Sequence, residues 1–190
     1  MVYEAKDFSG RLGTEGFSDT LLNNHFKLYQ GYVANTNKAI ELLANTEQGT
    51  PQYAELKRRF GWEFNGMRLH EYYFGNLSKE RKMLSEDSEL YKKLVKNFGD
   101  YENWENDLKA TGSMRGIGWV ILYHDVQADR LFNVWIDEHA LNHLSGAKPL
   151  LVMDVFEHAF ITDYGLNKAG YLNAFMNAID WSVVETRLKG

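Results

Sequence analysis

From Leu21 onward, apolar and aromatic positions recur at steps of three and four: Leu22, His25, Phe26, Tyr29, Tyr32, Val33 and Ile40. This stripe predicts a long amphipathic helix to about Leu43, capped by Ser18 or Asp19 and ended by the turn-rich "ANTEQGTPQ". The glycine-punctuated residues 1–19 ahead of it read as irregular. A second stripe, from Tyr53 to about Leu77, carries Leu56, Phe60, Phe64, Met67, His70 and Phe74, so the two helices form an antiparallel hairpin. Residues 78–112 are polar and helix-prone, with a turn at "NFGDYENW". The period then changes. "GIGWVILYHD" (116–125) and "LFNVWIDE" (131–138) are rich in β-branched and aromatic residues and flank a turn, which predicts a β-hairpin. "PLLVMD" (149–154) supplies a third strand, and residues 155–190 return to helix around "FEHAF" and "YLNAFMNAIDWSVVETRL". The expected class is α+β: an N-terminal helical hairpin domain over residues 1–88, then a C-terminal domain over residues 89–190 with a three-stranded antiparallel sheet and flanking helices.

Composition narrows the function classes. The chain has 190 residues and a formal net charge of −5, which argues against a nucleic-acid partner, since backbone binding needs a surplus of Lys and Arg on one face. It has no cysteine, so disulfides, thiolate catalysis and Fe–S clusters are excluded. No apolar run reaches membrane-spanning length, and the acidic first thirty residues lack a signal-peptide layout, so a soluble cytoplasmic protein without a membrane partner is expected.

The run "LLVMDVFEHAF" (150–160) places Asp154, Glu157 and His158 in a stretch that otherwise asks to be buried. Asp154 and His158 are four residues apart, so a strand ending at Asp154 and a helix beginning straight after it aim both at one point. His25 and His70 lie on the buried stripes of the two helices. A cation would satisfy one carboxylate and three imidazoles together, and that donor set suits Mn, Fe, Co or Zn. Two plainer readings compete. Each histidine alone reads as a hydrogen-bonded core residue, and Asp154 as a strand-end cap for the following helix. Two histidines and a carboxylate also match the facial triad of non-haem iron oxygenases, although a third histidine counts against it.

These residues carry a resemblance. "DVFEHAFITDYG" resembles the metal-binding signature of the iron/manganese superoxide dismutase family. "GMRLHEYYFGNL" is similar to that family's second-helix ligand segment, "RGIGWVIL" to its first-strand motif and "AFMNAIDWSVVETRL" to its C-terminal helix. The match covers residues 18–188 in the family's order. It implies metal ligands at His25, His70, Asp154 and His158, one Mn or Fe ion per subunit, and superoxide and protons as substrates. It also implies a homodimer or tetramer with an antioxidant role. The family places its first ligand eight residues before a gateway tyrosine, whereas His25 precedes Tyr32 by seven and Tyr29 by four, which leaves both tyrosines as candidates. Position 66, where some relatives carry a catalytic glutamine, is glycine, and His139 occupies the place of the loop glutamine found in others. The resemblance makes His139 and Tyr32 catalytic and Trp119 a wall of the cavity. It pairs Glu157 with a ligand histidine of the partner subunit. It also implies departures: Ile161 and Phe156 stand where the family has tyrosine and tryptophan, and Lys168 where it has arginine. Lys27, Arg68 and Lys168 are the cations expected to draw an anionic substrate. The alternative is a dismutase-like metal-binding protein with lost or altered redox activity.

Overall fold

A computed structural model describes residues 2–190. After a 3-10 turn at Ser9–Arg11 come helices α1 (Asp19–Asn45) and α2 (Pro51–Asn76), packed along their lengths as an antiparallel hairpin. Ser18 caps α1, its hydroxyl accepting from the Leu21 amide at 3.0 Å, and Thr50 caps α2 ahead of a proline at the first helical position. The buried stripe of α1 runs through Leu21, Leu22, His25, Tyr29, Tyr32, Val33, Thr36 and Ala39. Ile40, expected on that stripe, is instead exposed, because the stripe's last turn is taken by Thr36 and Ala39.

Two short helices follow, α3 (Glu89–Phe98) and α4 (Tyr101–Ser113), divided at Gly99, whose φ of 92° suits glycine. The sheet consists of β1 (Gly118–Asp125), β2 (Arg130–Asp137) and β3 (Lys148–Asp154) in the order β2-β1-β3, all antiparallel. In the central strand every residue from Gly118 to His124 is buried, as its near-continuous apolar run requires. The register sets Trp119 opposite Ile136 on one side and opposite Asp154 on the other.

The helix expected straight after Asp154 does not form. Val155 and Phe156 stay extended, Glu157–Ala159 make a single 3-10 turn, and the helices α5 (Ile161–Tyr164), α6 (Lys168–Asn177) and α7 (Trp181–Lys189) follow. The extended pair is stitched to the sheet by the Val155 amide donating to the Gly118 carbonyl at 2.9 Å, and that bond competes directly with helix formation.

The hairpin is locked to the sheet by a buried polar bridge. Asn76, at the end of α2, donates to the Val152 carbonyl, and Arg187 of α7 donates to the Asn76 side chain and to the Leu150 and Tyr72 carbonyls. Burial of the Arg187 guanidinium lowers its pKa to about 10, and the several carbonyl acceptors offset that cost. The core is continuous from α1 through the sheet to α7, and burying each of its largest side chains contributes roughly 1.5–3 kcal/mol. Among the described residues no helix is long and apolar enough to cross a membrane.

Candidate metal centre

His25, His70, Asp154 and His158 converge, each offering one ligand atom, and these atoms lie within 4.8 Å of one another. His25 comes from the second turn of α1, His70 from α2, Asp154 from the last residue of β3 and His158 from the 3-10 turn that follows it. The first three are buried, and His158 is partly exposed. Asp154 Oδ2 is the hub: His25 Nε2 lies at 3.2 Å, His158 Nε2 at 3.1 Å and His70 Nε2 at 3.6 Å. Its other oxygen, Oδ1, accepts from the Phe156 amide at 2.9 Å. Both readings of this aspartate therefore hold at once, one oxygen capping the chain that follows and the other facing three imidazoles.

The state of His70 is fixed by its neighbours. Nδ1 lies 2.5 Å from the Gly66 carbonyl, which can only accept, so the proton sits on Nδ1. Burial, followed by the charge of His25, holds its pKa well below 6.5, so the ring is neutral. Nε2 then carries a lone pair, is buried, has no hydrogen-bond partner and faces a carboxylate oxygen. Two fully buried acceptors facing each other repel unless a cation lies between them, so the donor set fits a metal ion.

A second arrangement borders this cluster. The Trp119 indole donates to His139 Nδ1 at 3.0 Å, so the neutral His139 carries its proton on Nε2 and donates it to the Tyr32 hydroxyl at 2.8 Å. Burial lowers the His139 pKa to about 4, which keeps this single tautomer over the physiological range. The Tyr32 ring stacks on His70 with centroids 5.1 Å apart. Seven residues bring Tyr32 back to the same helical face as His25, so the spacing leaves the contact intact. Tyr29 does not reach this group; its hydroxyl donates to Glu71 at 3.1 Å and accepts from the Lys6 amide at 3.0 Å, and burial raises its pKa to about 12.

Gly66 makes room for Tyr32: a Cβ there would lie 2.6 Å from the Tyr32 ring. Gly66→Ala is therefore expected to push the ring off His139, with a cost of roughly 1–3 kcal/mol for overpacking. Thermal denaturation together with the ¹⁵N signature of the His139 ring checks this, and an unchanged signature at an unchanged melting temperature would contradict the packing described.

His143 is structural: Nε2 donates to the His139 carbonyl at 3.0 Å and Nδ1 accepts from the Tyr123 hydroxyl at 2.8 Å. Of the three cations named from sequence, Arg68 is paired with Glu71 at 2.7 Å, Lys168 donates to the Met114 carbonyl, and Lys27 is exposed. Glu157 is exposed next to His158. Sequence reading missed Trp62, Arg59 and Glu138. The Trp62 ring lies 4.5 Å from His139 and 5.6 Å from Tyr32, and its placement eight residues before His70, two turns along one helix, was the available signal.

Without metal, acid should destabilise the protein. Burial first, outweighing the attraction of Asp154, lowers the pKa of His25, and burial likewise lowers those of His70 and His139, from 6.5 in each case. The unfolded chain then binds more protons than the folded one, so this stability is complete above about pH 6.5 and is lost as pH falls below it. Asp154, whose pKa the neighbouring histidines hold far below 3.8 against the opposing effect of burial, contributes a loss only at much lower pH. Urea titrations of metal-free protein at about pH 7.5 and 5.5 should give a lower midpoint at the lower pH; equal midpoints would contradict the assignment of neutral buried imidazoles.

Comparison with known proteins decides the family. Residues 86–187 match the family model for the iron/manganese superoxide dismutases, C-terminal domain. The chain is 36% identical to the iron superoxide dismutase of Aquifex pyrophilus, over 98% of this chain and 91% of that protein. This chain belongs to the iron/manganese superoxide dismutase family. It is also 34% identical to the iron superoxide dismutase of Cupriavidus metallidurans, over 98% of this chain and 96% of that one. A manganese superoxide dismutase of Haloferax volcanii is 34% identical over 83% of this chain and 79% of its own. Relatives named for iron and for manganese thus both stand at 34–36% identity.

Proposed function

We propose that the protein disproportionates superoxide: two superoxide anions and two protons give dioxygen and hydrogen peroxide. One iron or manganese ion per subunit would be held by His25, His70, Asp154 and His158. The observation that carries the reading is the His70 Nε2 lone pair, buried and unpartnered, facing Asp154 Oδ2. Such an ion would supply one-electron redox chemistry between its divalent and trivalent states, which both halves of the disproportionation need.

The chain's own residues supply position and protons. Gly66 and the cap at Phe156 fix the orientation of His70 and Asp154, the role that outer partners play at metal sites. Trp119 sets the His139 tautomer, and His139 donates to Tyr32, which leaves the Tyr32 proton as the one in this chain not already committed. Tyr32 is accordingly the residue that would deliver a proton to the reduced substrate and guard the approach. Burial raises its pKa, so it stays protonated at working pH.

Exposed Glu157 beside the partly exposed His158 supports a homodimer in which each glutamate accepts from the partner's imidazole. The division into residues 1–88 and 89–190 is supported by the family match, which begins at residue 86. Family membership supports an antioxidant role, and the cytoplasmic location follows the expectation drawn from the sequence.

Protein loaded with iron or with manganese should consume superoxide catalytically in proportion to metal content, whereas zinc, which has no one-electron change, should support no turnover. A superoxide-consumption assay paired with metal analysis tests this; absence of activity with both iron and manganese would overturn it.

A further inference from the structure

Glu138 has a backbone φ of 49° although it is not glycine. Left-handed backbone is strained for a side-chain-bearing residue and is freely taken by glycine, so the surroundings hold it there, through the Glu138 amide bonded to the Ile117 carbonyl at 3.1 Å and through its side chain. The residue immediately precedes His139, and its carboxylate accepts from the Trp62 indole at 2.8 Å. The Trp62 ring in turn packs against the His139 ring, 4.5 Å away with the planes at 74°. One turn along α2, Asn65 donates to the His139 carbonyl at 2.8 Å. Helix α2 therefore grips this loop at two points, once on the backbone of His139 and once on the side chain before it.

Trp62 is itself held. The Arg59 guanidinium lies 4.0 Å from its ring centroid, and Glu63, 3% exposed, anchors Arg59 through contacts of 2.7 and 2.8 Å. The second Glu63 oxygen is buried without a partner, an arrangement kept although it costs stability. Two separately unfavourable features, the left-handed Glu138 and the half-satisfied Glu63, thus serve one indole ring. That ring touches the residue that bonds Tyr32.

We propose that Glu138 is a positioning residue: its bond to Trp62, made against backbone strain, fixes the His139 ring in register with Tyr32. The inference rests on the role given to His139 above, yet it concerns geometry that exists without metal. Breaking the bond should leave the fold intact and let the imidazole rotate away from its partners Trp119 and Tyr32, so that the tautomer set by the Trp119 indole is no longer held.

Three variants separate positioning from scaffolding. Glu138→Gln keeps the acceptor, Glu138→Gly relieves the backbone and removes it, and Trp62→Phe keeps a ring and removes the donor. In metal-free protein, the ¹⁵N histidine spectrum should show His139 as a single Nε2-protonated tautomer in wild type and Glu138→Gln. It should show averaged nitrogen shifts in Glu138→Gly and Trp62→Phe. With iron loaded, the last two should lose about tenfold in turnover, the size of an outer-partner effect, while Glu138→Gln stays within about twofold. Glu138→Gly should melt no lower than wild type, and the double variant should be no slower than either single one. A wild-type tautomer signature and rate in Glu138→Gly would overturn the proposal, as would equal damage from Glu138→Gln. If Trp62→Phe fails to fold, Glu138→Gly decides alone. Should wild type lack dismutase activity while the tautomer shifts appear as described, the functional reading fails and the positioning claim stands.

Discussion

Asp154→Ala is expected to give a chain that folds but retains less than about a tenth of the wild-type iron or manganese, with dismutase activity down by more than about 100-fold. The scale follows from comparison: loss of an outer partner typically costs 10–100-fold in metal affinity or activity, and Asp154 is the only anionic donor among four. Without it, three neutral imidazoles remain with no charge to offset the cation. The fold should survive because the carboxylate is not an anchor of the core. The interactions lost are polar ones confined to the site: the Oδ2 contacts with His25 and His158 at 3.2 and 3.1 Å and a single Oδ1 bond to the Phe156 amide, while in the metal-free chain Oδ2 also faces a lone pair on His70. Metal analysis, activity per chain and far-ultraviolet circular dichroism on one preparation check all three statements. Full metal content in the variant would show that the ion sits elsewhere.

Gly118→Ala should cause the largest loss of stability among single substitutions at this site, at least about 3 kcal/mol. For a chain of this length that corresponds to a fall of roughly 6–12 °C in melting temperature. Gly118 has φ +150°, and a Cβ built there would lie 1.9 Å from the Ile136 carbonyl oxygen, which is backbone of the neighbouring strand and cannot rotate away. The effect would extend to the metal centre. The Gly118 carbonyl accepts from the Val155 amide, directly after Asp154, and the Glu138 amide bonds the Ile117 carbonyl directly before it. One glycine thus holds the segments carrying Asp154, Trp119 and His139 in register. Calorimetry checks the stability loss, and metal content of the fraction that folds checks the coupling. A variant with wild-type melting temperature would contradict the close approach of the strands.

The helical stripes and the β-hairpin were legible because each rests on a local period. Helices α1 and α2 start and stop within about two residues of their expected ends, a margin set by fraying and capping. The 3-10 turn at Glu157–Ala159 was not legible, because the extended Val155 and Phe156 are held by a partner 37 residues away in sequence, Gly118, which no local pattern shows. Asn76 and Arg187, 111 residues apart, were missed for the same reason. At the metal centre, donor types, burial and the grouping of His25 and His70 with Asp154 and His158 were readable from spacing and chemistry, and the resemblance turned that candidate group into a ligand set. Sequence could not say that Asp154 divides its two oxygens between a cap and the histidines. Nor could it say that Tyr32 rather than Tyr29 bonds His139, since both recur on the same helical face. Trp62 and Glu138 escaped because an exposed glutamate and a helical tryptophan are ordinary until strain and an indole bond are seen together.

The most direct test of the central claim is a crystal structure of metal-loaded protein with anomalous difference maps recorded at the iron and manganese edges. The account predicts one peak per chain, lying between the Nε2 atoms of His25, His70 and His158 and the Oδ2 of Asp154. A peak outside these four atoms, or loaded crystals with no peak among them, would contradict it.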